Sequence, residues 1–319
     1  MKRRIISLLA LALVCVMALA SCGGSKLSIG TGGTGGTYYG FGGVLSQYIK
    51  NGTGSECVAV STDGSKANIL GIAEGDYQLG TVQSDVMAYA WAGTNAFAQN
   101  GAVKSFRVIG GLYAEAVQLI TTNPAIQSVS DLAGKKVSIG APNSGVYFNA
   151  MDVLSAVGLT ENDIDAQYQD FNSSADSLKD GQIDAAFIVA GAPTTAVTEL
   201  MMNNDNARLV PIDGTVAATI MDSCKYYTEY TIPAGTYKNQ TADITTITVK
   251  ATLIVSADLS EDTVYNITKS IFDNIEAISL EHAKGKELSL TNATEGMTAP
   301  FHKGAAKYFA EKGITVTVE

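Results

Sequence analysis

The chain has 319 residues, and its 21 basic and 31 acidic side chains give a formal net charge of −10 at pH 7. This acidic balance, without a cluster of Lys or Arg beyond the first four residues, excludes the electrostatic surface that nucleic-acid binding requires. The length suits one two-lobed protein or two domains of ordinary size.

The first residues have the layout of a secretory signal. Three basic residues at positions 2–4 precede an apolar run from Ile5 to Ala18, an order typical of exported proteins. This run is too short for a bilayer core of about 30 Å, which needs about 20 apolar residues. The segment ends in Leu19-Ala20-Ser21-Cys22, which resembles the bacterial lipobox, where a peptidase cuts before the cysteine and a lipid is attached to its sulfur.

We therefore predict a signal peptide at 1–21 and a lipidated tether at 22–26, with the lipid on Cys22. Several acyl chains on one residue anchor a protein stably, whereas a single chain does not. The alternative is an ordinary signal peptide in which Cys22 falls at the boundary by chance. The prediction places the protein outside the cytoplasm, held at a membrane by its lipid.

Short apolar strands alternate with helical stretches along the rest of the chain, which predicts an α/β architecture. Phe41, Leu45 and Tyr48 recur on one helix face, and Ser260 followed by two acids predicts a capped helix start. The predicted strands are 27–30, 57–61, 79–82, 137–140 and 183–189, with longer extended passages at 106–112, 116–121 and 245–256. Further predicted helices are 65–73, 174–180 and 305–312.

Part of this pattern occurs twice. A strand–loop–helix unit begins near Ile29 and again near Ile139, and a helix–Gly–strand unit contains Gly75 and later Gly181. The copies share little identity, so chance similarity between α/β units is the alternative. We interpret the repeat as two lobes of similar build that face one another. The long extended passages would then cross between the lobes and form a hinge.

A glycine-rich loop, Gly30 to Gly35, follows the first strand and satisfies G-x-G-x-x-G. Export argues against a nucleotide cofactor, and so does a helix that begins late, near Tyr38. Glycines still allow several backbone N–H groups to point at one spot, and the helix N-terminus adds partial positive charge. The loop therefore predicts an anion site, and the loop 142–145 offers the same arrangement from the other half. We predict no cofactor.

The predicted ligand-binding residues lie in four loops that follow strands: Gly35, Gly36, Thr37, Tyr38, Gln83, Ser84, Asp85, Asn143, Ser144, Gly145, Val146, Gly191 and Ala192. Asp85 has two interpretations, capping its helix or accepting a ligand ammonium, and capping is favoured. None of these loops contains Lys or Arg. We therefore expect neutral donors to hold a ligand carboxylate, with Arg107 as the rival cation.

Enzymatic machinery is sparse in this sequence. His282 and His302 stand near no nucleophile motif such as G-x-S-x-G, and both are interpreted as structural. No Cys or His stands at zinc-ligand spacing, so no metal site is predicted. Cys57 and Cys224 are left open between a disulfide and two free thiols.

Several motifs together carry a family resemblance: Gly32-Gly-Thr-Gly-Gly-Thr-Tyr-Tyr39, Gln83-Ser-Asp85, Asp131-Leu-x-Gly134-Lys-Lys-Val137, Gly140-Ala-x-x-Ser-Gly145, Asp180-Gly-x-x-Asp184-Ala-Ala-x-x-x-Ala-Gly191-x-Pro193, Pro233-x-Gly-x-Tyr237 and His302-x-Gly-Ala305. The chain resembles the TAXI-type solute-binding proteins of TRAP transporters over essentially its whole mature length. Gly40 and Lys303 depart from it, because the family usually has proline at both positions.

This resemblance implies a two-lobed periplasmic-binding-protein fold (type II-like), in which each lobe is a mixed sheet flanked by helices and crossing strands form the hinge. We assign 27–114 plus 231–319 to lobe I and 115–230 to lobe II. The resemblance also implies a monomer without enzymatic activity. It would pass a small organic acid, either a glutamate- or glutamine-like amino acid or a dicarboxylate, to the membrane subunits of a TRAP permease. The alternative is an extracytoplasmic enzyme or a sensory protein on the same fold.

Overall fold

The structure, a computed structural model, describes residues 26–318, so the predicted signal peptide and Cys22 lie outside the described residues. Over this range the chain forms ten strands and eleven α-helices. The strands are β1 (Leu27–Gly30), β2 (Cys57–Val60), β3 (Leu79–Gln83), β4 (Phe106–Thr121), β5 (Lys136–Ser138), β6 (Asp165–Gln167), β7 (Ala185–Ala190), β8 (Arg208–Val210), β9 (Thr228–Ile232) and β10 (Ile244–Ser256). The helices are α1 (Thr37–Thr53), α2 (Ser65–Glu74), α3 (Ser84–Ala92), α4 (Val146–Ser155), α5 (Phe171–Lys179), α6 (Thr195–Asn203), α7 (Gly214–Ser223), α8 (Glu261–Phe272), α9 (Ile275–Glu281), α10 (Leu290–Thr294) and α11 (Lys303–Glu311).

One continuous sheet runs through the molecule in the order β2-β1-β3-β10-β4-β7-β5-β6, with β8 beside β4 and β9 beside β10. The outer strands pair in parallel on both sides, β1 with β2 and β3, and β5 with β6 and β7. The long strands β4 and β10 pair antiparallel at the centre. One part of β10 pairs with β3 and another with β9, so this strand belongs to both halves of the sheet.

The buried apolar side chains divide the chain into two lobes. One cluster contains residues from Leu27 to Tyr113 together with residues from Ala251 to Phe309. Two further clusters are built from residues between Ala116 and Val249. Side chains of β9 and of the first half of β10 pack in these two clusters. The first and last parts of the chain thus form one lobe, and the central part forms the other.

The repeated units fold alike in the two lobes. In the first lobe β1 leads through a loop into α1, and in the second β5 leads through a loop into α4. Gly75 and Gly181 each have a positive φ, 87° and 67°, between a helix and the strand that follows. The predicted strand at 137–140 ends earlier, at Ser138, because Gly140 has a φ of 92° and turns the chain into the loop.

The two central strands bend where they cross between the lobes. Glu115 on β4 lies opposite Val249 on β10, and the pairing shifts register between Lys250 and Thr252. A β-bulge of this kind bends a strand and increases its local twist. The predicted passages at 106–121 and 245–256 are therefore the crossing strands, and their bend lies beside Glu115.

Cys57 and Cys224 are both free thiols. Cys57 is buried in the core of the first lobe. Cys224 follows α7 in the second lobe, and its sulfur lies 3.7 Å from the Tyr89 hydroxyl. Of the two alternatives that the sequence left open, the structure has two free thiols.

The predicted start of α8 is confirmed, since the Ser260 hydroxyl accepts a hydrogen bond from the Thr263 N–H at 3.2 Å. Changing Ser260 to Ala should lower the free energy of unfolding by about 1 kcal/mol, because one backbone donor loses its cap. Urea denaturation would measure this loss. Ser260→Asp is the control and should retain most of the stability, since its carboxylate can accept the same bond. Equal losses in both variants would contradict a capping role.

Candidate ligand-binding site

A cavity lies between the two lobes. Its volume, counted as the space open to the centre of a water molecule, is about 70 Å³. This is several times the roughly 10–15 Å³ that one water needs. It is lined by the loops after β1, β2, β5 and β6, by the last residues of β3 and β7, and by Glu115 on β4. The carboxyl ends of parallel strands are the usual position of ligand sites in α/β proteins.

The cavity brings together part of the sequence-predicted set. Seven of those residues line it: Gly36, Thr37, Tyr38, Gln83, Ser144, Gly145 and Val146. Six lie outside the lining: Gly35, Ser84, Asp85, Asn143, Gly191 and Ala192. The lining also contains residues that the sequence analysis did not select: Gly32, Gly33, Thr62, Asp63, Gly64, Ser65, Glu115, Ala141, Asp170, Phe171, Val189 and Ala190.

Two helices from opposite lobes begin at the cavity. Helix α1 starts after Gly36 and α4 starts after Gly145, and neither glycine offers a side chain to cap the first turn. The first N–H groups of a helix have no partner within the helix, and they carry partial positive charge. These two helix N-termini can therefore donate hydrogen bonds to an anionic group between the lobes.

Four buried polar atoms of the lining have no hydrogen-bond partner among the described residues. They are the hydroxyls of Tyr38 and Ser144 and the Oε1 atoms of Gln83 and Glu115. Buried polar groups in folded proteins are almost always hydrogen-bonded. The four atoms supply two hydroxyl donors and two acceptors within one small volume, and this set suits a polar ligand that has both donors and acceptors.

The charges on the cavity wall are acidic. Its lining contains Asp63, Glu115 and Asp170, and no Lys or Arg occurs among these lining residues. Asp63 and Asp170 are exposed, and Asp170 already caps α5. Glu115 is 1 % exposed, and burial raises its pKa to about 8, although the Tyr38 hydroxyl and the charge of Lys284 act in the opposite direction.

The predicted residues Gly35 and Gly191 lie where the two lobes touch. The Thr37 hydroxyl donates to the Gly191 carbonyl at 2.7 Å, and the Ala196 N–H donates to the Gly35 carbonyl at 3.1 Å. A Cβ atom on Gly35 would lie 2.0 Å from Oδ1 of Asn172 in the opposite lobe. Both glycines therefore allow side chains of the opposite lobe to approach the backbone closely, and these contacts hold the lobes together.

The predicted residue Asn143 makes a similar contact through its backbone. Its carbonyl accepts hydrogen bonds from the N–H groups of Lys66 and Ala67 at the start of α2, at 3.1 and 3.3 Å. Asn143 has a φ of 63°, a conformation that asparagine tolerates better than most residues. The loop before α4 thus caps a helix of the other lobe.

A buried polar network also joins the lobes. Nε2 of Gln83 donates to Oδ1 of Asn149 at 2.9 Å, and Nδ2 of Asn149 donates to Oδ2 of Asp85 at 2.9 Å. Asn149 also contacts the Tyr227 hydroxyl, which donates to Asp152 at 2.8 Å. Burial raises the pKa of Asp85 to about 7. Asp85 therefore contacts the opposite lobe from the first turn of α3, whereas Gln83 connects the network to the cavity.

Comparison with known proteins places the chain in a family. The model of the NMT1-like family matches residues 29–313. The chain belongs to the NMT1-like family. Within residues 26–318, none of the helices is long and apolar enough to cross a bilayer.

Solved structures share the fold of this NMT1-like protein. The alkanesulfonate-binding protein SsuA from Xanthomonas axonopodis pv. citri, bound to MOPS, is 15% identical, with 84% of this chain and 82% of that chain covered and a TM-score of 0.50. A protein from Bordetella bronchiseptica RB50 is 15% identical, with coverage of 89% and 88% and a TM-score of 0.54. A Listeria monocytogenes protein assigned as an L-cystine ABC transporter is 16% identical, with coverage of 83% and 98% and a TM-score of 0.50. The predicted two-lobed periplasmic-binding fold is confirmed.

Two of the sequence-predicted residues of this NMT1-like protein have other surroundings. The Ser84 hydroxyl accepts a hydrogen bond from the Lys250 N–H at 3.2 Å, in a groove behind the crossing strands. Ala192 packs in an apolar cluster of the second lobe. The main residue that the sequence analysis missed is Glu115. A signal was present, because a single acid stands between alanines in the short segment that joins the predicted extended passages 106–112 and 116–121.

Gly145 allows the Gln83 side chain to lie between the lobes, since a Cβ atom on Gly145 would lie 1.5 Å from Oε1 of Gln83. Gly145→Ala should therefore displace Gln83, break its bond to Asn149 and open the lobes. Small-angle scattering should show a larger radius of gyration. Gly43→Ala is the matched control, because no heavy atom lies within 4 Å of its added Cβ. The same radius in both variants and the wild type would refute this closing contact.

Proposed function

We propose that this protein is an extracytoplasmic solute-binding protein that captures a small organic acid or amino acid between its lobes and delivers it to a membrane transporter. The observation that carries the proposal is the cavity between the lobes, where two helix N-termini and four unpartnered polar atoms meet. Hydrogen bonds between the lobes hold them together around this cavity. Binding of a ligand in the cavity is therefore coupled to closure of the lobes. A ligand that binds only the closed form shifts the protein toward it.

The transporter class and the ligand are finer parts of the proposal. The motifs that resemble TAXI-type proteins favour a TRAP permease as the partner and a glutamate- or glutamine-like amino acid or a dicarboxylate as the ligand. The assigned role of the Listeria relative instead favours ABC-type transport. The proposed lobes are 27–114 plus 231–319 and 115–230, except that β9 and the first half of β10, up to Val249, pack with the second lobe. The proposed hinge is at the crossing strands.

We propose no catalytic role for the site. Both histidines act as helix caps, since His302 accepts a hydrogen bond from the Gly304 N–H and His282 accepts one from the Lys284 N–H, each at 3.1 Å. Burial lowers the pKa of both imidazoles, which favours their neutral form. An enzyme on the same fold is the second candidate, and turnover of a bound amino acid or dicarboxylate would reveal it.

The binding function predicts different effects of Ser144 and Arg107. The Ser144 hydroxyl lines the cavity, whereas Arg107 donates to the carbonyls of Lys104 and Phe106 and stacks on Trp91 away from it. A panel of amino acids and dicarboxylates should contain a ligand that stabilises the protein by about 2.7 kcal/mol at a hundredfold excess over its dissociation constant. With this ligand, titration calorimetry should show a loss of about 1.5–3 kcal/mol in Ser144→Ala and little change in Arg107→Ala. A large loss from the arginine change alone would contradict binding by neutral donors.

We also propose that lipid on Cys22 anchors the protein to the outer side of a membrane. Replacing Cys22 with Ala should remove the site of lipid attachment and release the protein into the soluble envelope fraction or the medium. Fractionation of cells that lack the transporter would measure this release. Cys57→Ala is the control and should stay with the membranes. A Cys22 variant that still sediments with membranes would refute the lipid anchor.

A further inference from the structure

Glu115 occupies a singular position in the cavity. It lies on the crossing strand β4, opposite Val249 and next to the register shift where the two strands bend. Its side chain is 1 % exposed and lines the cavity, and its Oε1 atom has no hydrogen-bond partner among the described residues. A buried carboxylate oxygen without a hydrogen-bond partner is costly in a folded protein, even though the Tyr38 hydroxyl and the charge of Lys284 act on this group. Its position therefore suits a group that interacts with something inside the cavity.

Among the described residues, Lys284 is the basic group whose charge acts on Glu115. The Nζ atom of Lys284 is hydrogen-bonded to Oε1 of Glu287 at 2.6 Å. The charge of Lys284 is therefore largely neutralised by another carboxylate. Besides Tyr113 on the same strand, the titratable groups around Glu115 come from three elements. They are Tyr38 on α1, Asp85 on α3, and Lys284 and Glu287 on the short 3-10 helix Ala283–Glu287.

The same cavity offers two kinds of binding group. The N-termini of α1 and α4 and the Ser144 hydroxyl can donate to a carboxylate, as described above. Oε1 of Gln83 can only accept hydrogen bonds. Glu115, when it is ionised, likewise only accepts hydrogen bonds, and it also attracts cations. A second ligand carboxylate near Glu115 would be repelled, or would require Glu115 to remain protonated. An ammonium group there would be attracted.

Building on the proposed solute-binding function, we propose that Glu115 binds a cationic group of the ligand, so that the site selects a zwitterion such as an α-amino acid over a dicarboxylate. Because Glu115 lies at the bend of the crossing strands, the same contact would join the ligand to the hinge. Oε1 of Gln83 would accept a second hydrogen bond from the ligand, while Nε2 of the same side chain donates to Asn149 in the opposite lobe.

This assignment has a definite pH dependence. Burial raises the pKa of Glu115 to about 8, so the carboxyl is mostly protonated at pH 6 in the ligand-free protein. An ammonium requires the ionised form, and its binding at pH 7 should release a proton. Affinity for an amino acid should rise between pH 6 and 8 by up to about tenfold per pH unit and level off above the pKa. A dicarboxylate should show no rise over this range.

The test compares L-glutamate with glutarate, which lacks only the ammonium, and extends to other amino acids and their des-amino acids. Titration calorimetry of the wild type and of Glu115→Gln at pH 6 and pH 8 should show at least tenfold weaker amino-acid binding in the variant. The rise with pH should disappear, and the affinity for the des-amino acid should stay equal or increase. Glu74→Gln is the matched control, since it makes the same change at an exposed glutamate outside the cavity lining, and it should bind like the wild type.

Proton release by the wild type, measured in phosphate and in Tris, gives a second result that needs no variant. Amino-acid binding without proton release and unchanged in Glu115→Gln would overturn the role of Glu115 while leaving solute binding intact. Tighter binding of the des-amino acid by the wild type would do the same. If neither class of compound binds, the proposed function itself fails, and this inference fails with it.

Discussion

The antiparallel pairing of β4 and β10 is the constraint on which the rest of the structure depends. These two strands carry the sheet from one lobe to the other, and every other strand extends the sheet outward from this pair. Any movement of the lobes relative to each other would therefore have to bend or twist this pair. The register shift at Lys250 provides a position for that bend. The loops that line the cavity are fixed to the ends of strands on both sides, so their approach follows from this one deformation.

The closed arrangement is kept by polar bonds where backbone and side-chain groups of the two lobes come close together. Such an approach requires glycine at Gly35, Gly145 and Gly191, where an added Cβ atom would lie 2.0, 1.5 and 2.7 Å from a side-chain atom of another segment. The glycine-rich sequence thus serves two purposes, which are to expose helix N-termini and to bring the lobes together. The sequence motif alone does not separate these purposes, because both need small residues after a strand.

Periodicity and turn chemistry predicted most of the fold. Residues close together in the sequence determine several predicted features, namely the strand at 27–30, the cap at Ser260 and the crossing passages. Local sequence patterns predict features of this kind well. The candidate site was harder to predict. The partner of Asp85 is Asn149, 64 positions away on a helix of the other lobe, and no local pattern indicates that pairing. Glu115 was missed because an acid inside a strand has no loop motif around it, although its buried surroundings make it the most unusual charge in the cavity.

Under the proposed solute-binding function, the four unpartnered polar atoms have a consequence for communication with a membrane transporter. When the lobes close without a ligand, these atoms either remain without partners, at about 1–3 kcal/mol each, or require trapped waters that cost up to about 2 kcal/mol apiece. A suitable ligand removes this penalty, so closure becomes a signal of occupancy. A transporter that binds only the closed form would therefore bind few ligand-free copies of this protein. Ligand-free copies would then compete little with ligand-bound copies for the transporter, even when they are more numerous.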